Sequence, residues 1–473
     1  METSLAFTSA TEIRRLFLNK ELSPVELTRL FLDRIDAIDG QLNSYLTISA
    51  EEALDLAREA EKAMMNGIDK GPLHGVPVSI KDLEMTKGTR TTGGSLIYRD
   101  RIPTADSTVV ERIRAAGAII LGKTNTPEFG LLGHTQNLLG DHCRNPWNTE
   151  LTTGGSSGGA GSSLAAGLCS LATGSDGGGS IRIPASFCGI YGIKPTQGRV
   201  PLYPGISGPV TVNHFSQSGP MSRTVEDSAL LLQVMAGHDL RDVNTLRDKP
   251  GDYLAAMKRS VEGLKIAWSP DFGYAAVDQE VARICKESAL LFEEMGCVVE
   301  EVSLNLDESI FDAFWTLFTA VMSARYSPLV ADKMDLLTEY GRECLDFGAN
   351  VSGAEFAKAL GARAELTMKF GEIFDRYDVI LSPTLATPAF PVGVPPDNID
   401  GQSVHSFWGF LPFTFPINII GNPSASIPCG FTEEELPIGL QVVGRWGDEE
   451  TVISVSAAFE KTQPWLSKRP IIS

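Results

Sequence analysis

The chain has 473 residues, 43% of them hydrophobic and 21% charged, which fits a globular protein with a large core and excludes a disordered one. A net charge of -19 argues against a general nucleic-acid or anionic-membrane partner. The seven cysteines are odd in number and scattered without a C-x-x-C pair, which excludes a disulfide framework or zinc site and points to a reducing compartment.

The N-terminus, METSLAFTSATEIRR, lacks the pattern of a secretion signal, and no run approaches the roughly 18 apolar residues of a membrane span. The expected location is therefore cytoplasmic. Ser9–Glu12, Ser23–Glu26 and Ser49–Glu52 each fit a capping box, the second with Pro24 at the first helical position. Each precedes an amphipathic run, so the first 70 residues read as packing helices. Residues 77–83, PVSIKDL, read as a short buried strand, in which Lys81 stands out because lysines are rarely buried without a partner.

Residues 108–116 are expected to form a helix and 118–122 a strand. Residues 128–139, rich in small and polar groups, are expected to line something. Residues 200–218 read as a long Pro/Gly/Ser loop, a length often tied to function. Thr224–Asp227 caps a helix ending near Gly237. Further on, 263–268 and 297–304 read as strands around a helix over 278–295, the order of a parallel crossover. Helices fill 308–375, strands 379–385 and 436–444, and a helix over 448–462 closes the chain. Residues 405–416 carry Phe407, Trp408 and Phe410, either core or the aromatic wall of a pocket that also takes Leu131 and Leu132. One α/β body is expected over 1–473, with a helical part (1–70), a central part (71–235) and a remainder (236–473).

The stretch from Thr152 to Tyr191 is crowded with Gly and Ser and nearly free of charge. Two clusters, Gly154–Gly159 and Gly177–Ser180, flank an apolar segment, 163–172, of helical character. Two such loops held apart by an ordered element suit convergence on one point, where bare N–H groups meet a ligand.

Several chemistries compete for these residues. Gly154-x-Ser156-x-Gly158 fits the nucleophile turn of an α/β-hydrolase esterase, with His214, His238 or His405 as base; the polar flank 148–153 is a poor strand for that turn. Neither glycine cluster ends in the Gly-Lys-Ser/Thr of a phosphate loop, and six isolated histidines offer no metal cluster. A third arrangement joins Lys81 to two serines. A buried lysine loses its proton easily and then serves as a base, Ser156 relays a proton, and Ser180 attacks. The N–H groups of Gly177, Gly178, Gly179 and Ser180 would receive a developing oxyanion.

At these residues the sequence resembles the amidase signature family. GGSSGG at 154–159, GSDGGGSIRIPASFCGIYGIKP at 174–195 and VSIKD at 78–82 carry the likeness. HGVPVSIKD, GKTNTPEFG, NPWN, GPMSRTVEDSALLL, LSPTLATPAFP and FTFPINIIGNPSASIPCGF extend it over most of the chain. The resemblance implies one α/β domain with a central mixed, twisted sheet wrapped by helices. It implies Ser180 as nucleophile, Ser156 as bridging serine after a cis peptide bond, and Lys81 as base. Ser157, Asp176 and Arg182 match supporting positions. Position 177, Gly here, usually bears a side chain in the family. No cofactor and no metal are implied. The implied substrate is a small amide or carbamate (urethane), taken by a monomer or homodimer; the apolar, proline-rich 200–218 loop and the 405–415 aromatics suggest an apolar or aryl one. A glutaminase component of a tRNA-dependent amidotransferase is the alternative, against which stands the lack of its motifs at 200–216 and 310–345.

Overall fold

Strands buried on both faces organise the fold. The computed structural model describes residues 2–205 and 215–472; residues 206–214 of the loop expected at 200–218, His214 among them, lie outside the described residues. Among the described residues eleven strands pair into one mixed sheet. Its order is Tyr45–Ile48, Ile119–Thr124, Pro77–Lys81, Leu171–Asp176, Gln217–Ser222, Tyr191–Lys194, Ser424–Phe431, Pro437–Val443, Val379–Pro383, Lys265–Trp268 and Val298–Glu301. Pairing is parallel where Pro77–Lys81 meets its two neighbours and where Lys265–Trp268 meets its two; the other ladders are antiparallel. The crossover expected at 263–304 is present, carried by the helix Gln279–Glu294.

Successive strand residues face opposite sides, and two cores result. Val78, Ile80, Ile266, Trp268, Val379 and Leu381 pack into one core with the N-terminal helices and the helix Glu449–Thr462. Ala267, Ile380 and Val443 face the other, which is dominated by aromatic residues from Ser309–Val330, Gly353–Phe374 and the 405–415 segment. Helices thus cover both faces of one mixed sheet in a single domain.

Local details depart from the sequence in four places. The apolar segment expected over 163–172 is a helix over Gly158–Ala165 followed by the strand Leu171–Asp176. The polar flank at 148–153 is a strand after all, Asn148–Thr152, but it pairs with Arg144–Asn145 outside the main sheet. The 200–218 loop ends early, because Gln217 already belongs to the strand Gln217–Ser222. Of the three capping boxes only Ser23 closes both halves; Glu12 turns to Arg15 instead, and Ser49 makes no side-chain cap.

Candidate active site

Lys81 ends a strand that is buried at every position. Because Val78 and Ile80 pack into the first core, alternation turns Lys81 to the opposite face, where two Gly-Ser segments approach. Its Nζ donates to Ser156 Oγ and to Ser157 Oγ, each at 2.8 Å, and reaches Ser175 O at 3.2 Å and Ser175 Oγ at 3.0 Å. The carbonyl of Ser175 can only accept, so a neutral amine can satisfy it with one N–H and keep its lone pair for a serine hydroxyl. Lys81 has no solvent exposure. Burial lowers its pKa to about 7, against the opposing pull of the Asp176 and Glu84 carboxylates.

The Gly155–Ser156 peptide bond is cis. A Cβ at Gly155 would meet the backbone of His134 at 2.8 Å, so this chain passes where only glycine fits. The Ser157 N–H donates to Ser180 O at 3.1 Å and ties the two serine segments together. Ser156 and Ser180 border one cavity of about 40 Å³, with Gly177 and Gly178 at its floor. That is room for a carbonyl group and a few neighbouring atoms rather than a whole substrate.

Asp176 and Arg182, both without solvent exposure, hold the floor. Arg182 Nε and Nη2 each donate to Asp176 at 3.0 Å, while its other contacts go to Gln441 Oε1 at 2.7 Å and Asn418 Oδ1 at 2.6 Å. Burial works against the Asp176 charge, but the guanidinium outweighs it and holds the carboxyl at about 2. Asp176 in turn accepts the N–H groups of Gly179 at 2.7 Å and Ile181 at 3.2 Å. The amide of Gly179, expected among the oxyanion donors, is therefore engaged in holding the loop. Gly179 itself has φ +127°, and a Cβ there would collide with Thr414 Oγ1. Gly177 has no such constraint; a Cβ would meet Ser216 Oγ at 2.7 Å, so the glycine makes room for that hydroxyl.

The pocket residues expected from sequence divide. Leu132 and Trp408 border the cavity. Leu131 is buried in the aromatic core, and Phe410 is fully buried against Phe187 and Phe390. Phe407 borders a separate surface cavity beside Tyr340. Phe129 lies in the 128–139 segment expected to line something and does border the cavity; the walls that sequence reasoning missed are three residues of the helix Ser309–Val330, namely Phe314, Phe318 and Met322. Their spacing of four was a readable signal for one helix face. Ser175, Thr414 and Asn418 were also missed and carry no such signal. Among the described residues no histidine borders this cavity; His238 bonds Thr245 at 2.9 Å and His405 is exposed.

A lysine, two serines and a glycine floor meeting at one cavity can be set beside known proteins. The family described as Amidase matches residues 26–453. The chain belongs to the amidase family. This amidase is 36% identical to an acylamidase of Rhodococcus erythropolis, across 99% of this chain and 98% of that protein. It is 39% identical to a glutamyl-tRNA(Gln) amidotransferase component of Moorella thermoacetica, across 98% of this chain and 99% of that protein. Its fold matches the crystal structure of a bacterial aryl acylamidase with a TM-score of 0.91, at 32% identity, covering 98% of this chain and 99% of that one. The chain is an amidohydrolase of this family. Among the described residues no helix is long and apolar enough to cross a membrane.

Proposed function

We propose that this amidase hydrolyses apolar or aryl amides, and carbamates of similar shape, through an acyl-Ser180 intermediate. Lys81 Nζ at 2.8 Å from Ser156 Oγ, with a pKa near 7 from burial, is the observation that carries the reading. Ser180 gives its proton to Ser156 as it attacks the carbonyl carbon, and Ser156 gives its own to neutral Lys81. The N–H groups of Gly177, Gly178 and Ser180 receive the oxyanion, with Gly179 holding their loop. The C–N bond breaks as the proton returns through Ser156 to the leaving amine. Water then attacks the Ser180 ester by the same relay and releases the acid. A carbamate would lose its alcohol first, and the carbamoyl-Ser180 would be cleared by water as amine and carbon dioxide.

The apolar preference rests on the walls: Phe129, Phe314, Phe318, Met322 and Trp408 border the cavity. The test is a turnover screen of matched anilides, aliphatic amides, carbamates and glutamine, with the adducts located by mass spectrometry. An acyl adduct on Ser180 that disappears in Ser180→Ala is the expected result; an adduct elsewhere rejects the nucleophile. A second reading, glutaminase within a transamidation complex, draws support from the 39% identity to an amidotransferase component. Fast turnover of glutamine and none of anilides would favour it.

A further inference from the structure

The small catalytic cavity does not stand alone. A second chamber of about 360 Å³ shares Leu83, Phe129, Ser175, Ser216 and Met322 with it. The helix Ser309–Val330 runs along both. Phe314 and Phe318 border the inner cavity, Met322 borders both, and Arg325 and Tyr326 border only the outer one. At 1.5 Å per residue, Arg325 lies about 10 Å along the helix axis from Phe318. The shared residues join the cavity at Ser180 to the chamber at Arg325.

Four charged side chains border the outer chamber among the described residues, and three have partners. Glu84 accepts from Ser107 at 2.8 Å and Ser218 at 2.6 Å. Arg241 bonds Glu111 and Asp239, at 2.6 and 2.7 Å. Asp242 accepts the N–H groups of Leu202 and Asn244. Arg325 has no hydrogen bond or ion pair among the described residues; its guanidinium is held over the Tyr326 ring, 5.2 Å from the centroid. Tyr326 is itself fixed by stacking on Phe129 at 4.2 Å. A second guanidinium, Arg101, sits 4.0 Å over Tyr98, whose ring meets Phe129 edge-on, and it too makes no ion pair among the described residues. Of the two, only Arg325 borders the chamber, and its guanidinium is the one charged group there that makes no hydrogen bond or ion pair among the described residues.

We propose that Arg325 is a specificity residue that binds a carboxylate at the end of the substrate remote from the scissile bond. The substrate class is then an amide with an apolar middle, matching the Phe and Met stripe, and an anionic tail. A planar guanidinium already oriented on a ring matches two carboxylate oxygens. The proposal rests on the placement of the reacting carbonyl at Ser180 argued above.

The test compares para-nitroanilides of glutaric, adipic and suberic acids, one carboxyl left free, with straight-chain acyl para-nitroanilides of equal length. The readout is the ratio of kcat/KM, carboxylated over neutral, at low salt. The parent should favour at least one carboxylated member, and Arg325→Met should lower that ratio about tenfold or more, as losing one charge-assisted contact does. Arg325→Lys should keep part of it, and Arg325→Glu should shift preference toward ω-amino chains. A ratio that is the same in parent and Arg325→Met, or a parent that favours the neutral series throughout, overturns the proposal. Labelling of Ser180 by a fluorophosphonate is followed in parallel. Lost preference with intact labelling speaks to Arg325 alone, whereas absent labelling in the parent speaks against the nucleophile.

Discussion

Thr414 Oγ1 donates to Gly178 O at 2.7 Å, across 236 residues of chain. Thr414 is fully buried, and its bond fixes the Gly178–Gly179 peptide, whose N–H is held by Asp176 and which lies between the Gly178 and Ser180 amides. Valine has the same shape and lacks the hydroxyl. Thr414→Val should lower kcat by about tenfold or more with KM little moved, because a shift of this peptide displaces the flanking Gly178 and Ser180 amides proposed as donors, and small displacements of an oriented donor are costly. Stability should fall by about 1 kcal/mol. A change in KM alone would place Thr414 in binding instead.

The glycines of the floor are not equivalent. Gly179→Ala forces a Cβ into Thr414 Oγ1 at φ +127°, and should abolish turnover. Gly177→Ala meets only Ser216 Oγ, the end of a side chain that can rotate, at 2.7 Å. It should keep most activity. Steady-state kinetics on both variants, with circular dichroism for folding, decides; equal damage would refute the distinction.

The acid limb of the pH profile belongs to Lys81. Since its pKa is about 7, kcat/KM should rise from about pH 6 to pH 8.5 as the amine becomes neutral. A profile flat over that range would sink the neutral-lysine base.

The same burial has a signature in stability. Lys81 and Lys194 are lowered to about 7 and Lys123 to about 8, from an unfolded value of 10.5. Above pH 7 the unfolded chain therefore holds more protons than the native one, and stability rises with pH. The gain runs to about pH 8.5, where unfolded thiols begin to ionise while buried ones, such as Cys344, are pushed up to about 12. Urea titrations from pH 7 to pH 8.5 should show the climb. Lys81→Met should be more stable than the parent at pH 7 and show a shallower climb.

Arg182→Met would leave Asp176 charged and unpaired with no solvent contact. A loss of about 3–5 kcal/mol is expected, the cost of breaking a buried pair. Denaturant unfolding of Arg182→Met beside Asp176→Asn separates charge from shape; the two should differ, with the asparagine variant milder.

Much of the site was legible because its chemistry sits in short signatures. Lys81 stood out as a charge in an apolar strand, and Ser156 and Ser180 as serines among glycines. Thr414 and Asn418 were not legible, since FTFPINII reads as core and their partners, Gly178 and Asp176, lie more than 230 residues away in sequence. The segment 405–413 has no regular period, so nothing in it separates Trp408, which borders the cavity, from Phe410, which does not. The strand Gln217–Ser222 lacks apolar alternation; its pairing with Leu171–Asp176 and Tyr191–Lys194 defines it. Leu171–Asp176 hid in a Gly/Ala/Ser run of helical composition and is fixed by parallel pairing with Val78 and Ser79.

The division of labour along the chain carries a lesson for how such enzymes diversify. Lys81 and both serines come from the first 180 residues, whereas the helix over Ser309–Val330 supplies much of the wall. Drift along that one helical stripe can retarget the enzyme to new cargo while the reacting groups are inherited untouched.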